Sequence, residues 1–314
     1  MAAHEYCFHG VHVLSDIDLG ITHSINTNYR VKNLYIRSQQ SPPPRLVQQP
    51  AWVSSTHFPS GEPHSVIYCH ERAPLLKVPH VGIFRFAGEE IQAWIEPGAI
   101  PAPYILGKVF GIWLELSGWP VLHGSCLSLG RTAFGLLGMS GMGKSTLSAA
   151  LNWDGCPLIT DDLIPLVQDG RGYRIYPGLP FSRMWPDTAQ RFVGPGYQAH
   201  QRVLPQVEKR LIPHEVNGRK RFSDQVQALK ALFMLNRVED QEPSITRLNP
   251  AAGLMALIKT SFQPEPVEVL GLQKQRLAFL AEMVEEIAIF DLTYPTGFPH
   301  LERVCRIIKD HITQ

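Results

Sequence analysis

Little in this chain would anchor it to a membrane or cross-link it. Only five cysteines occur in 314 residues. They are Cys7, Cys69, Cys126, Cys156 and Cys305, scattered and without a C-x-x-C pair, which argues against a disulfide framework or a zinc site and fits a reducing compartment. Charge of one sign is also missing: 29 Lys and Arg stand against 28 Asp and Glu, so no global field advertises nucleic acid or an anionic membrane as a partner. No apolar run is long enough to span a bilayer. The most apolar stretch, 100–122, is interrupted by Pro101, Pro103, Lys108, Glu115 and Pro120. The first residues lack the basic start and apolar core of a signal peptide. The 13 histidines show no metal-ligand spacing, and there is no G-x-S-x-G or H-E-x-x-H string. These absences together predict a cytoplasmic protein with no membrane and no nucleic-acid partner; a homo-oligomer is compatible with all of them.

What is present is a full match to G-x-x-x-x-G-K-[ST]: Gly138-Met139-Ser140-Gly141-Met142-Gly143-Lys144-Ser145, followed by Thr146. The pattern is a mechanism written as residues. Glycines let the backbone curl so that successive N–H groups point into one concavity, a nest for phosphate oxygens. A helix opening just after the loop turns its positive end toward the same place. Lys144 is placed to reach the β- and γ-phosphates and the Ser145 hydroxyl to hold a magnesium ion, so ATP and Mg2+ are the expected ligands. The apolar run 133–137 reads as the strand entering the loop and 145–151 as the helix leaving it.

Around this motif the chain divides by texture. Residues 1–103 have β character, with strand-like runs at 6–14, 33–37 and 65–70, a hairpin over 82–95 turning at Gly88, and a proline-rich loop at 41–44. They read as a β-rich N-terminal domain that recognises substrate or completes the fold. Residues 104–314 read as an α/β domain. Helical spacing of Ile105, Val109, Ile112, Trp113 and Leu116 predicts a helix over 104–117. Strands are expected at 121–127, 134–137, 157–162, 163–167, 173–176, 228–235 and 289–294, and helices at 250–260, 272–287 and 301–311. The segment 194–223 reads as a long, partly irregular loop that could act as a lid or touch substrate.

A nucleotide loop alone gives binding, not a reaction. The second element is Leu158-Ile159-Thr160-Asp161-Asp162, an apolar strand ending in two carboxylates about one helix and one turn after Lys144. In open α/β sheets the carboxyl ends of strands face the ligand crevice, so both acids should lie beside the nucleotide. Adjacent strand residues point to opposite faces, so the two are expected to have different roles: one taking the proton of an attacking hydroxyl, the other holding magnesium.

Leu122-His123-Gly124-Ser125, the glycine loop and the Asp161-Asp162 strand together resemble the core of the HPr kinase/phosphorylase family. These are serine kinases on a P-loop α/β fold akin to phosphoenolpyruvate carboxykinase. The resemblance spans about residues 119–167. It implies catalytic roles for His123, Lys144, Asp161 and Asp162, with Asp161 as base and Ser145 and Asp162 at the metal. Met139 stands where those kinases usually carry an acidic residue. The strings from Phe8 to Leu19, Arg183-Met184-Trp185-Pro186-Asp187 and Glu208-Lys209-Arg210 look more like HPr-kinase-related enzymes, some of which phosphorylate a serine of a ribosomally made peptide.

Lys209 and Arg210, with Arg202, Arg219, Lys220 and Arg221 nearby, are candidates to clamp phosphate or an acidic substrate segment, or else form a solvated basic loop. Arg183 could reach the site or support a turn, the latter being favoured. The function expected is transfer of the γ-phosphoryl group of ATP to a serine-type hydroxyl of a peptide or protein. A small-molecule kinase and a non-catalytic nucleotide-binding module are the alternatives.

Overall fold

A computed structural model describes residues 4–21, 29–46, 49–69, 73–204, 207–216 and 219–313. The chain forms two compact units, Met1–Trp119 with Gln263–Arg276, and Pro120–Phe262 with Leu277–Gln314. Composition placed a division at 103/104. It falls instead after Trp119, and a short late segment returns to the first unit.

The first unit is built on an eight-stranded sheet. The run 6–14 is two strands, His4–Phe8 and Val11–Ser15, turning at His9 and Gly10, both with positive φ. Val11–Ser15 pairs in parallel with Lys32–Ser38, which pairs in parallel with Glu90–Ile95. Glu90–Ile95 closes the expected hairpin with Gly82–Ala87, whose Phe84 and Phe86 point inward while Arg85 and Ala87 are exposed. That is the period-two pattern of a sheet with one face in the core. His70, the last residue of the run expected at 65–70, lies outside the described residues; Val66–Tyr68 is the strand. Ala102–Leu116 is helical but not uniformly so, because Ile105–Val109 takes π-type pairing before Phe110–Leu116 resumes the α form. Phe110, Ile112 and Trp113 are buried there, and the Trp113 indole N–H donates to the Gly88 carbonyl at 2.8 Å. Buried Glu115 and Arg276 form an ion pair that ties the returning segment into this unit.

The second unit carries a mixed sheet. Thr132–Leu137, Gln227–Val238 and Ala288–Pro295 run parallel, so their carboxyl ends share one edge. Val121–Leu129 is antiparallel to Thr132–Leu137 on one side and to Leu158–Pro165 on the other. Helices including Lys144–Trp153 and Pro250–Thr260 accompany it, and Leu122, Leu137, Ile159, Ile164, Leu232, Leu257 and Ile289 meet in one buried cluster. Two expectations change. The strands read as 157–162 and 163–167 are largely one strand, Leu158–Pro165, so the acids stand within a strand rather than at its end. The segment 194–223 is more ordered than a loop. It contributes Arg202–Leu204 and Val207–Pro213 to a three-stranded sheet with Phe181–Met184. Proline, glycine and charge there mark turns and a half-exposed sheet face. No helix among the described residues is long and apolar enough to cross a membrane.

Candidate active site

Register brings the two motifs to one level. Gly124, on Val121–Leu129, pairs with Leu137 on one side and Asp162 on the other, so the last strand residue before the glycine loop and the acid pair are separated by a single strand. Gly124 is required by this close packing: a β-carbon there would lie 2.4 Å from the Leu136 carbonyl oxygen. A cleft of about 200 Å³ opens at this edge, lined by Lys144, Ser145, Asp161, Asp162, His123 and Lys209 among others.

The loop leaves Thr132–Leu137 and ends at Gly143, which has φ +84° and precedes helix Lys144–Trp153. A β-carbon on Gly143 would stand 2.6 Å from the Tyr294 hydroxyl oxygen. That hydroxyl donates to the Met142 carbonyl at 2.6 Å, so Tyr294, from Ala288–Pro295, braces the loop from below. Burial pushes the Tyr294 hydroxyl up to about 12, which keeps it a donor. The Lys144 ammonium folds back onto the loop, donating to the carbonyls of Gly138 at 2.7 Å and Met139 at 3.2 Å. Burial, then the nearby charge of Lys209, lowers its pKa, and the two aspartates oppose that fall. Ser140, Gly141, Gly143, Ser145 and Thr146 line the cleft. Met139 does not; its residue is 61% exposed and only its carbonyl is engaged.

Both aspartates face the cleft, contrary to the alternation expected of adjacent strand residues. The cause is local. Asp162 adopts φ +75°, a left-handed conformation that Asp tolerates better than most side chains, and the turn brings its carboxylate round beside that of Asp161. Their partners differ. Asp161 accepts the Ser125 hydroxyl at 2.7 Å through Oδ1 and the Arg183 backbone N–H at 2.8 Å through Oδ2. Asp162 Oδ2 lies 3.0 Å from the Arg183 guanidinium, and His123 Nδ1 is 3.1 Å from the Asp162 carbonyl oxygen and 3.6 Å from Oδ1. Burial alone would raise the Asp162 carboxyl. The cations around it, Arg183 first and then His123, Lys209 and Lys144, prevail and hold it below the usual carboxylate range.

Arg183, read from sequence as turn support, therefore holds both acids, one by its backbone and one by its side chain. Its neighbour Ser182 belongs to a buried chain. Ser182 Oγ is 2.7 Å from His214 Nε2, and His214 Nδ1 is 3.0 Å from Asn152 Oδ1 near the end of the loop's helix. Because the Asn152 amide nitrogen donates to the carbonyls of Cys156 and Arg221, its oxygen is the acceptor facing His214. Nδ1 thus carries the proton and Nε2 accepts from Ser182.

The basic group at 202–221 divides. Lys209 reaches the cleft, its ammonium 5.1 Å from the centre of the Trp185 ring. Arg210, next along the strand, points elsewhere and donates to the His200 carbonyl at 2.9 Å, so it does not join the site. Arg202 pairs with Glu208 at 3.0 Å, and Arg221 stacks on Trp153. The side chains of Arg219 and Lys220 lie outside what the structure describes. Ser125, Trp185 and Asp187, which stood in the strings that carry the resemblance but had no role assigned, line the cleft, as does Arg237, which was not singled out. Nothing in the sequence flags Arg237, because its strand becomes the parallel neighbour of the loop strand only in the fold.

Chemically, the cleft offers four cationic side chains, Lys144, Arg183, Lys209 and Arg237, beside loop N–H groups, which suits a polyanion. Its hydroxyls and carboxylates, Ser145, Thr146, Asp161 and Asp162, are hard oxygen donors of the kind magnesium takes. No group of three or more His, Cys, Asp or Glu able to hold a metal occurs among the described residues, so a magnesium ion here would also need oxygens from a ligand.

No family model matches the chain, and no curated protein matches it. Among solved structures, one that it resembles is the HPr(Ser) kinase/phosphatase from Coxiella burnetii, at 13% sequence identity and a TM-score of 0.30, over 62% of this chain and 96% of that one. The likeness is distant, and the chemistry of the cleft stands on its own residues.

Proposed function

We propose that this chain is an ATP-dependent kinase of the HPr-kinase-like kind, transferring the γ-phosphoryl group to a serine-type hydroxyl of a peptide or protein. One observation carries the reading: the loop ending in Lys144 and Ser145 and the Asp161-Asp162 pair line a single cleft, with cations between them. A donor polyanion and a hydroxyl acceptor have complementary groups there at once.

The division of labour follows from the partners. Asp162 is paired with a guanidinium and held ionised, which suits a fixed negative charge near a cation more than a proton acceptor. Asp161 already accepts a serine hydroxyl proton, that of Ser125, and each of its oxygens has a further lone pair. In the reaction, the acceptor oxygen forms the new bond to phosphorus as the bond to the β–γ bridging oxygen breaks. The hydroxyl proton passes to Asp161, and ADP leaves. Lys144 exchanges the Gly138 and Met139 carbonyls for phosphate oxygens. Ser145 and Asp162 would hold magnesium, which supplies charge neutralisation at the phosphates. His123 and Arg183 keep Asp162 ionised, and Lys209 adds positive charge at the cleft wall.

The test is incubation with labelled ATP and magnesium, offering candidate peptides, proteins and free metabolites as acceptors. Phosphoserine on a peptide or protein is expected, and Asp161→Asn should slow transfer by about 10²–10⁴-fold while nucleotide binding persists. Label on a free metabolite alone would refute the acceptor class. Nucleotide binding with turnover indifferent to Asp161→Asn would refute the kinase.

A further inference from the structure

We propose that Arg237 is the residue that recognises the terminal phosphate, distinguishing a nucleoside triphosphate from a diphosphate in the same cleft. The inference rests on the kinase reading and deepens it. Its basis is where the strand Gln227–Val238 runs and what the other cations are already doing.

Gln227–Val238 lies parallel to Thr132–Leu137, with Met234 opposite Leu137, the last residue before the loop. Three residues further on, Arg237 has therefore passed the point at which the loop begins. On its other side it pairs with Tyr294, the residue whose hydroxyl braces the Met142 carbonyl. The Arg237 stem is fixed against the loop: a β-carbon on Gly143 would find Arg237 Cδ at 3.8 Å. The charge of Arg237 is felt at Tyr294, where it opposes the rise that burial imposes on the hydroxyl. From this position the side chain lines the same cleft as Lys144 and Asp161.

The other cations of the cleft are engaged. Lys144 is held by two loop carbonyls, Arg183 by Asp162, and Lys209 lies over the Trp185 ring. Among the described residues the Arg237 side chain makes no hydrogen bond or ion pair, and the residue is exposed. A planar guanidinium so placed, with five donors and no acceptor, matches two oxygens of a phosphate group. The loop backbone accounts for the inner phosphates, and Lys144 spans the β- and γ-phosphates, which leaves the terminal group with oxygens for a further cation. A phosphoryl group lying between the loop and Asp161 is the terminal one, and Arg237, beside Gly143, lines the same cleft. No covalent step is asked of it. It binds the group before transfer and offsets charge during it.

The experiment compares binding of magnesium with ADP and with the β,γ-imido analogue of ATP, by titration calorimetry, for the full chain and for Arg237→Ala, Arg237→Lys and Arg237→Gln. Loss of a charge-assisted contact predicts that Arg237→Ala weakens the triphosphate analogue by about tenfold or more and ADP by less than about twofold. Arg237→Lys should recover part of that loss and Arg237→Gln less, because charge persists only in the first. Because Arg237 is exposed, these variants are expected to fold. If the wild type binds both nucleotides and Arg237→Ala weakens them equally, or neither, this proposal fails and the kinase reading stands. If the wild type binds neither nucleotide, the kinase reading fails and takes this proposal with it.

Discussion

The buried chain Ser182–His214–Asn152 makes a prediction about acid that can be worked through. His214 is enclosed, with Nδ1 donating to Asn152 and Nε2 accepting from Ser182 in the neutral ring, and burial disfavours the charged one. Burial, aided by the charge of Arg221, pushes its pKa down to about 3. In the unfolded chain the same ring titrates near the ordinary value of about 6.5. A group whose folded pKa is depressed contributes its full stability above the unfolded value and loses it as pH falls toward the folded one. Between pH 7 and pH 5 the unfolded state gains about three-quarters of a proton that the folded state refuses, which costs about 2 kcal/mol of folding stability from this residue alone. His214→Gln, which keeps a donor and an acceptor but cannot titrate, should lose about 2 kcal/mol less than the wild type over the same interval, even if it is less stable at pH 7. Urea unfolding at the two pH values, followed by hydrogen-exchange mass spectrometry of peptides from Lys144–Trp153 and Phe181–Met184, reads the unit that holds His214 and not the other. Equal losses in wild type and variant would refute the reasoning, because the only group removed is the one held responsible. Ser182 precedes Arg183, so the same acid loss should loosen the grip on both aspartates.

Two further predictions concern that grip and the loop. Gly143→Ala forces an L side chain into φ +84° at about 1–2 kcal/mol and drives its β-carbon to 2.6 Å from the Tyr294 oxygen, whereas the next ring atom, Cζ, would be 3.7 Å away. Tyr294→Phe alone should cost about 1 kcal/mol for the lost bond to Met142. The double variant should be less destabilised than the sum of the two singles, since Phe removes the clashing oxygen; strict additivity in urea unfolding would show that the two residues do not meet as described. For Arg183→Met, the Asp162 carboxyl loses its principal cation while remaining in place, so its pKa should rise. Asp162 now contributes stability that is present above the ordinary carboxylate value and fades only as pH falls below it. In the variant the folded and unfolded values draw together, so that contribution shrinks while the carboxyl's own titration moves to higher pH, as carbon-detected NMR of Asp162 can show; an unmoved or lowered titration would contradict the assigned ion pair.

The glycine loop and the acid pair were legible in sequence because each is a contiguous string whose residue types are required by the backbone they adopt. Glycine where φ is positive or a neighbour is too close, as at Gly143 and Gly124, leaves a local trace. What surrounds them leaves none. Arg183 and Arg237 are single arginines at strand ends, with no spacing to flag them, and their meaning depends on which strands become neighbours. The returning segment 263–276 is tied to the first unit by Glu115 and Arg276, which are 161 positions apart and unremarkable locally. The sheet within 194–223 was masked because its strands are half-exposed and so lack the clean alternation that marks a core face.

Asp162 shows where one inference from strand geometry fails. Alternation along a strand predicted opposite faces for the two acids, and therefore different roles. The positive φ at Asp162 cancels the alternation and puts both carboxylates in one cleft. Two carboxylates side by side would ordinarily raise one another's pKa. For Asp162 the cations prevail, because the pairing is unequal: Asp162 takes the Arg183 guanidinium, with His123, Lys209 and Lys144 around it, while Asp161 takes only neutral donors, the Ser125 hydroxyl and the Arg183 N–H. On the function proposed, a difference in role would arise from the partners and not from the strand. It follows that exchanging the partners should exchange the roles. A variant that removes the Arg183 charge would make the two acids more alike, and activity would become less sensitive to which of them is replaced by asparagine. In a wild-type background the two replacements should differ, with Asp161→Asn abolishing proton acceptance and Asp162→Asn chiefly weakening the site's hold on magnesium. Nearly identical losses of kcat, with unchanged magnesium dependence in both, would mean that the assignment of base and metal contact drawn from these partners is incorrect.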